Sequence, residues 1–276
     1  GAGQVEAGAL GLPVRFPLQE SATVEFHPVR EVADLDQYKV IDPMGDGRVW
    51  VFLETMRLLS KRVRVPKGAY VIGPFTLAGL MMGANQIALD TIDRPNVVHA
   101  AVNFAERIII DYASALVDAG ADIVCILEPT ACFLSPATFR EFVFPYLRQM
   151  ADKVHARDKK LLLHCCGAVR PLLPMIIEAG VDMLEPIQTR ARGMEPEGLK
   201  RDFGRDLCFY GGLDLQQIMP GTKQGVIDET RRLIDILGRD GGYIFGPGHT
   251  YIQVDAPLEN IIAMYDTADA HRPWTA

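Results

Sequence analysis

Short apolar runs alternate with longer amphipathic stretches along most of this chain, and that rhythm limits the fold more than any single motif does. Runs suited to buried parallel strands lie at 70–72, 123–127, 160–164, 181–184, 207–210 and 243–245. Each is followed by a turn signal and then a helical pattern; the helices read as about 48–61, ahead of the first run, and then 95–119, 136–156, 169–179, 194–203, 224–238 and 257–270. Ser135-Pro136 reads as an N-cap with proline at the first helical position. Gly120, Gly180 and Gly238 read as glycines that close helices. Strand-then-helix repetition predicts a parallel sheet covered by helices, in an α/β fold. A closed barrel and an open doubly wound sheet both satisfy it. No glycine-rich dinucleotide fingerprint follows the first strand, so the doubly wound reading lacks its usual support. Six strands are clear, with a seventh candidate near 12–16. A full barrel has eight, so its front end reads short. With no linker, repeat or low-complexity segment, residues 1–276 read as a single domain.

Composition narrows the function classes. A chain of 276 residues that is 49% hydrophobic can bury a large core without disulfides. Its 35 acidic and 28 basic residues are mixed along the chain, and the absence of a basic block argues against nucleic acid as a partner. The cysteines number five, an odd count without a secreted-scaffold spacing, which predicts reduced thiols and a cytoplasmic protein. Neither a membrane-length apolar run nor a signal peptide is evident, so no membrane is expected.

In a barrel, polar residues at the C-terminal ends of strands build the active site. Glu128, the segment His164-Cys165-Cys166-Gly167, and Gly248-His249 occupy such ends. His164 and Cys166 share a face at their two-residue spacing, and Cys165 should point into packing. Imidazole and thiolate are natural zinc ligands, although a core cysteine beside a hydrogen-bonded histidine would give the same pattern. Glu185 ends the next strand, and Asp214 follows Gly211-Gly212. Taken singly, each acidic residue also suits a solvated rim carboxylate. Cys125 and Cys208 read as small core residues.

Several segments in order resemble the uroporphyrinogen decarboxylase superfamily. Ile72-Gly73-Pro74-Phe75-Thr76-Leu77-Ala78 is similar to its GPFTLA segment. Ala119-Gly120-Ala121-Asp122, Glu128-Pro129, Leu134-Ser135-Pro136 and 142–147 follow its next stretch. Gly211-Gly212-Leu213-Asp214, and Gly241-Gly242-Tyr243 through Pro257-Leu258-Glu259-Asn260-Ile261, resemble its closing motifs. His164-Cys165-Cys166-Gly167 looks like the H-x-C-G motif of the zinc-dependent, corrinoid-linked methyltransferase branch.

The resemblance runs from about Val5 onward. It implies a (β/α)8 TIM barrel that lacks its first strand or strands at the N-terminus, either in a shortened chain or in a short member. It also implies zinc held by His164 and Cys166, with His249 standing where that branch carries a cysteine. A histidine at this place also resembles the decarboxylases. Glu185 is a looser counterpart of the extra glutamate ligand in related cobalamin-independent methionine synthases. Glu128 and His249 are the catalytic candidates, with Glu128 lining the cavity.

The leading reading is a zinc-dependent methyltransferase. It would move a methyl group between a corrinoid protein or other methyl donor and a thiol or other small acceptor, with cobalamin carried by the partner protein. A metal-free decarboxylase is the alternative, weakened by the lack of the arginine-rich front segment that grips substrate carboxylates. A non-catalytic, partner-binding barrel is the third reading.

Overall fold

The computed structural model describes residues 4–17, 22–216 and 218–273. The chain divides into two compact units, one of residues 1–163 with 178–181, the other of 164–177 with 182–276.

The first elements are short: α1 (Val5–Ala9), β1 (Val14–Arg15), β2 (Thr23–Val24) and then α2 (Val49–Arg62). The seventh strand expected near 12–16 forms as β1. It pairs antiparallel with β2, Val14 opposite Val24, in a separate two-stranded sheet. Pro13 and Pro17 bracket it, and proline cannot donate to a ladder.

The alternating pattern follows as β3 (Gly68–Ile72), α3 (Pro74–Met82), α4 (Ala84–Asp93), α5 (Pro95–Asp118), β4 (Ile123–Leu127), α6 (Pro136–Phe142) and α7 (Phe144–His155). It continues with β5 (Lys160–His164), α8 (Leu173–Glu178), β6 (Met183–Ile187), α9 (Pro196–Phe203), β7 (Cys208–Leu213), α10 (Lys223–Leu237), β8 (Tyr243–Pro247) and α11 (Leu258–Ala270). Strands β3 to β8 succeed one another in chain order in a six-stranded sheet. Pairs β3–β4, β6–β7 and β7–β8 are parallel. Strictly sequential order belongs to a (β/α) barrel, because a doubly wound sheet reverses its order at a switch point.

In the first unit, β3 and β4 pair in register from Gly68 opposite Ile123 to Ile72 opposite Leu127. Helix α5 buries Val98, Ala101, Ala105, Ile108, Ile109 and Leu116, at the three- and four-residue spacing of one helix face. Each fully buried isoleucine there contributes roughly 1.5–3 kcal/mol. Glu6 of α1 lies at 1% exposure. Its Oε1 accepts the backbone N–H of Ile72 at 2.9 Å, while Oε2 is buried without a hydrogen-bond partner. Burial pushes its carboxyl up to about 7, against the pull of the Ile72 and Glu6 backbone N–H groups.

Two helical stretches differ from expectation. The single helix expected over 136–156 breaks at Val143, between α6 and α7. Pro145 falls in the first turn of α7, where its missing N–H is tolerated, whereas a continuous helix would lose a hydrogen bond there. Residues 74–93 form two helices that the periodicity does not reveal. Eight of the nine residues of α3 are buried, so its sequence has no polar face. Among the described residues, no helix is long and apolar enough to cross a membrane.

Candidate metal and substrate site

The ends of three strands, β5, β6 and β8, carry the donor side chains. His164 is the last residue of β5, and Cys166 follows it by two. Glu185 lies within β6, and His249 stands two residues beyond β8. The Cys165 backbone N–H bonds to the Glu185 carbonyl at 2.9 Å, and the Cys165 side chain is fully buried. Cys166 and His249 are half-buried, while His164 and Glu185 are 5% and 3% exposed. A glycine is needed at 248: its N–H bonds to the Leu213 carbonyl at 2.7 Å, and a Cβ there would stand 3.0 Å from the same oxygen. That close approach fixes where His249 leaves β8.

His164 is the centre of this cluster. Its Nδ1 is 3.7 Å from Glu185 Oε2 and 3.4 Å from Thr250 Oγ1. Its ring lies edge-on to that of His249, with centroids 6.3 Å apart. Burial pulls the His164 pKa down, but hydrogen bonds with Cys166 and Glu185, and their charges, outweigh it and raise the imidazole to about 9. His249 goes the other way. Burial, aided by the His164 charge, lowers its pKa despite Cys166 and Glu185, which favours the neutral ring. The His249 Nδ1 is buried and makes no hydrogen bond, and the ring meets Tyr251 edge-on at 4.6 Å.

Among the described residues, no three His, Cys, Asp or Glu side chains stand close enough together, as placed, to hold a metal ion. His164 instead bonds with Cys166 and Glu185, and the His249 ring stands edge-on to it. The donor chemistry still fits zinc: two imidazoles, a thiol and a carboxylate meet in one cluster, and one imidazole nitrogen is buried without a partner. His164 and Cys166 are brought together, as are Glu185 and His249 around them.

Beside His249 opens a cavity of about 390 Å³, lined among others by Gln188, Thr189, Arg190, Asp214, Gln216 and Gln253. Of these only Asp214 had been singled out, as a rim carboxylate. The others obey the strand-end rule a few residues later: 188–190 follow β6 and Gln216 follows β7. Asp214 Oδ1 accepts the backbone N–H groups of Gln216 and Ile218, both at 3.2 Å. Farther along the chain after Asp214, the carbonyls of Met219 and Gly221 accept from the buried Asn260 of α11, both at 2.8 Å.

Glu128 belongs to the first unit and is completely buried. Its Oε1 accepts from Phe75 N at 2.8 Å and Tyr146 Oη at 2.5 Å. Its Oε2 accepts from Thr76 N at 3.0 Å and Thr76 Oγ1 at 2.6 Å. The carboxylate thus ties the end of β4 to the N-terminus of α3. Gly73 permits this, since a Cβ there would stand 2.1 Å from the carboxyl carbon. Burial raises Glu128 to about 7, with the Thr76 and Tyr146 hydroxyls and the two backbone N–H groups opposing it. The sequence expected a cavity-lining group; the visible contacts of this carboxylate are those of an anchor. Tyr146, its partner, carried no signal beyond a place on the buried face of α7.

Comparison with known proteins places these features. The family described as Uroporphyrinogen decarboxylase (URO-D) matches residues 4–271. A methylated-thiol–coenzyme M methyltransferase of Methanosarcina mazei is 30% identical over 230 residues, 79% of this chain and 57% of that protein. The chain therefore spans little more than half the length of this relative. A uroporphyrinogen decarboxylase of Geobacter metallireducens is 28% identical over 251 residues, 87% of this chain and 70% of that protein. A solved methyltransferase from Methanosarcina mazei shares the fold, with a TM-score of 0.81 at 24% identity, covering 97% of this chain and 78% of its own.

Proposed function

This chain belongs to the uroporphyrinogen decarboxylase family, and from that premise we propose that it is a zinc-dependent methyltransferase. It would pass a methyl group between a donor, cobalamin on a corrinoid partner protein, and a thiol or other small acceptor. The observation that carries this reading is the cluster of His164, Cys166, Glu185 and His249, with a buried, unpartnered Nδ1 on His249 at the wall of a cavity.

His164, Cys166 and His249 would hold the metal, with Glu185 as a further ligand or as the group that orients the His164 ring through Nδ1. Zinc, when bound, supplies the positive charge that lets an acceptor thiol exist as thiolate at neutral pH. The chain's own residues do the rest. The cavity beside His249 holds and orients the acceptor, and Tyr251 packs on the imidazole and limits its rotation. Near-complete burial of His164 and Glu185 keeps water from competing for their donors. The decarboxylase reading fits this cavity less well. A porphyrinogen presents several carboxylates, whereas Arg190 is the one cationic side chain among the described lining residues.

Metal analysis of protein purified without added metal tests the proposal. About one zinc per chain is expected, lost in Cys166→Ala and kept in Cys165→Ala, because neighbours on a strand point to opposite faces. Equal loss in both variants, or no zinc in the parent, refutes it. Methyl transfer from methylcobalamin to a thiol should follow zinc content across the set.

A further inference from the structure

Helix α2 buries one face and leaves a second apolar face uncovered. Val49, Leu53 and Met56 are buried. About a third of the way round the helix from them stand Val51, Phe52, Thr55, Leu58 and Leu59. Their spacing, a pair repeated seven residues later with Thr55 between, is that of a helix-packing seam. The four apolar members are between 39% and 47% exposed. One such residue would be ordinary, but four on one face form a patch that marks an interaction surface. The end of this seam is basic. Six basic residues, interspersed with apolar ones, and one acidic residue, Glu54, lie between 48 and 67, in a chain of net charge -7. Glu54 is already engaged by Arg57 at 3.3 Å. The side chains of Lys61, Arg62 and Arg64 are exposed and make no ion pair or hydrogen bond among the described residues. Arg62 continues the seam, one turn beyond Leu58 and Leu59.

An apolar seam that ends in unpaired cations selects among partners. Nucleic acid would use the cations and gain nothing from the apolar side chains. A second copy, seam to seam, would set basic edge against basic edge. An anionic bilayer would meet the whole chain, whose net charge of -7 it repels. A single acidic helix touches the seam alone. We propose that the outer face of α2 docks an acidic amphipathic helix of a partner protein. Apolar side chains of that helix pack among Val51, Phe52, Leu58 and Leu59, and its carboxylates pair with Lys61, Arg62 and Arg64. The 14 residues of α2 offer a groove of about 21 Å, or four turns, to such a helix. The inference is independent of the methyltransferase reading, because α2 belongs to the first unit and carries none of the donor side chains.

Fluorescence anisotropy of a labelled synthetic peptide on the full chain tests this. The probe is a three-heptad helix with leucine along one face and glutamate on its flanks; the control has lysine in place of glutamate. The acidic peptide should bind, and the basic one roughly tenfold or more weaker, because like charges then face each other. Raising the salt should weaken the acidic peptide. Leu58→Gln combined with Leu59→Gln should weaken it by about tenfold or more, since two apolar side chains no longer leave water. Lys61→Glu combined with Arg62→Glu should invert the preference, so that the basic peptide binds more tightly. All four substituted side chains are exposed, so both variants should unfold at the parent's temperature by circular dichroism. The proposal is overturned if the acidic peptide does not bind, if the two peptides bind alike, or if the charge-reversed variant keeps the parent's preference. It is also overturned by binding to phosphatidylglycerol vesicles, or by self-association in the ultracentrifuge, that the double glutamine variant abolishes. Either result would give the seam to lipid or to a second copy.

Discussion

Replacing Glu6 by glutamine should stabilise the protein at alkaline pH and leave it nearly unchanged in mild acid. Glu6 is buried at 1% exposure, with one oxygen on the Ile72 N–H and the other without a partner. Burial raises its carboxyl to about 7 from an ordinary 4.5. Below about pH 4.5 the folded and unfolded chains both hold this proton, and folding loses nothing. Between that point and about pH 7 the unfolded chain releases the proton while the folded chain keeps it, so stability falls as pH rises. Above about pH 7 the loss levels off at roughly 3 kcal/mol, the free energy that corresponds to the gap between the two pKa values. Glutamine keeps the acceptor for Ile72 and cannot ionise, so Glu6→Gln removes this loss. Urea unfolding of both proteins at about pH 5 and about pH 8.5 should show the variant close to the parent in acid and up to roughly 3 kcal/mol more stable in base. A difference that is the same at both pH values, or a variant less stable at the higher pH, refutes the reasoning.

Two further outcomes concern the candidate site. In Glu128→Gln the Thr76 and Tyr146 hydroxyls can turn to donate or accept, but the backbone N–H groups of Phe75 and Thr76 cannot. One of them must face the new amide NH2, which costs about 1–3 kcal/mol. A thermal-unfolding midpoint lowered by several degrees, with zinc per folded chain unchanged, is the result expected of an anchor; lost activity at unchanged stability would instead make Glu128 catalytic. His249→Ala should lose metal and His249→Cys should keep it, with a changed pH dependence of methyl transfer. Full zinc in both variants, by metal analysis, would show that His249 is not a ligand.

The strand ends were legible because buried parallel strands are short apolar runs that stop abruptly at polar residues. Strands β4 and β5 fall at the expected positions, and β6 starts two residues later than expected, at Met183. Helices α3 and α4 were not legible by periodicity, since a helix buried nearly all round has no polar stripe to count. The sequence placed His164, Cys166, Glu185 and His249 on strand ends; the structure puts Cys166, Glu185 and His249 beside His164, though among the described residues no three of them stand close enough to hold a metal ion. Their electrostatics was beyond it. The opposite shifts of His164 and His249 depend on which neighbours each ring meets across strands, and spacing along one strand does not report that. Arg190 was missed for a simpler reason: it lies three residues past a strand, in a loop whose course follows from packing rather than pattern.

Asn260 sits far along the chain from the loop it supports. Its amide clasps the carbonyls of Met219 and Gly221, in the loop that begins at Asp214. Anyone shortening this protein or fusing it to another should therefore treat α11 as part of the binding apparatus. A junction placed before residue 258 would leave the 214–222 loop without its clasp, so a shortened protein could pass a solubility screen and still present an ill-defined pocket. The same clasp offers a handle. Asn260→Asp keeps the shape but replaces the two donors with acceptors that oppose the carbonyls, so it should loosen the loop without touching any group that meets a ligand.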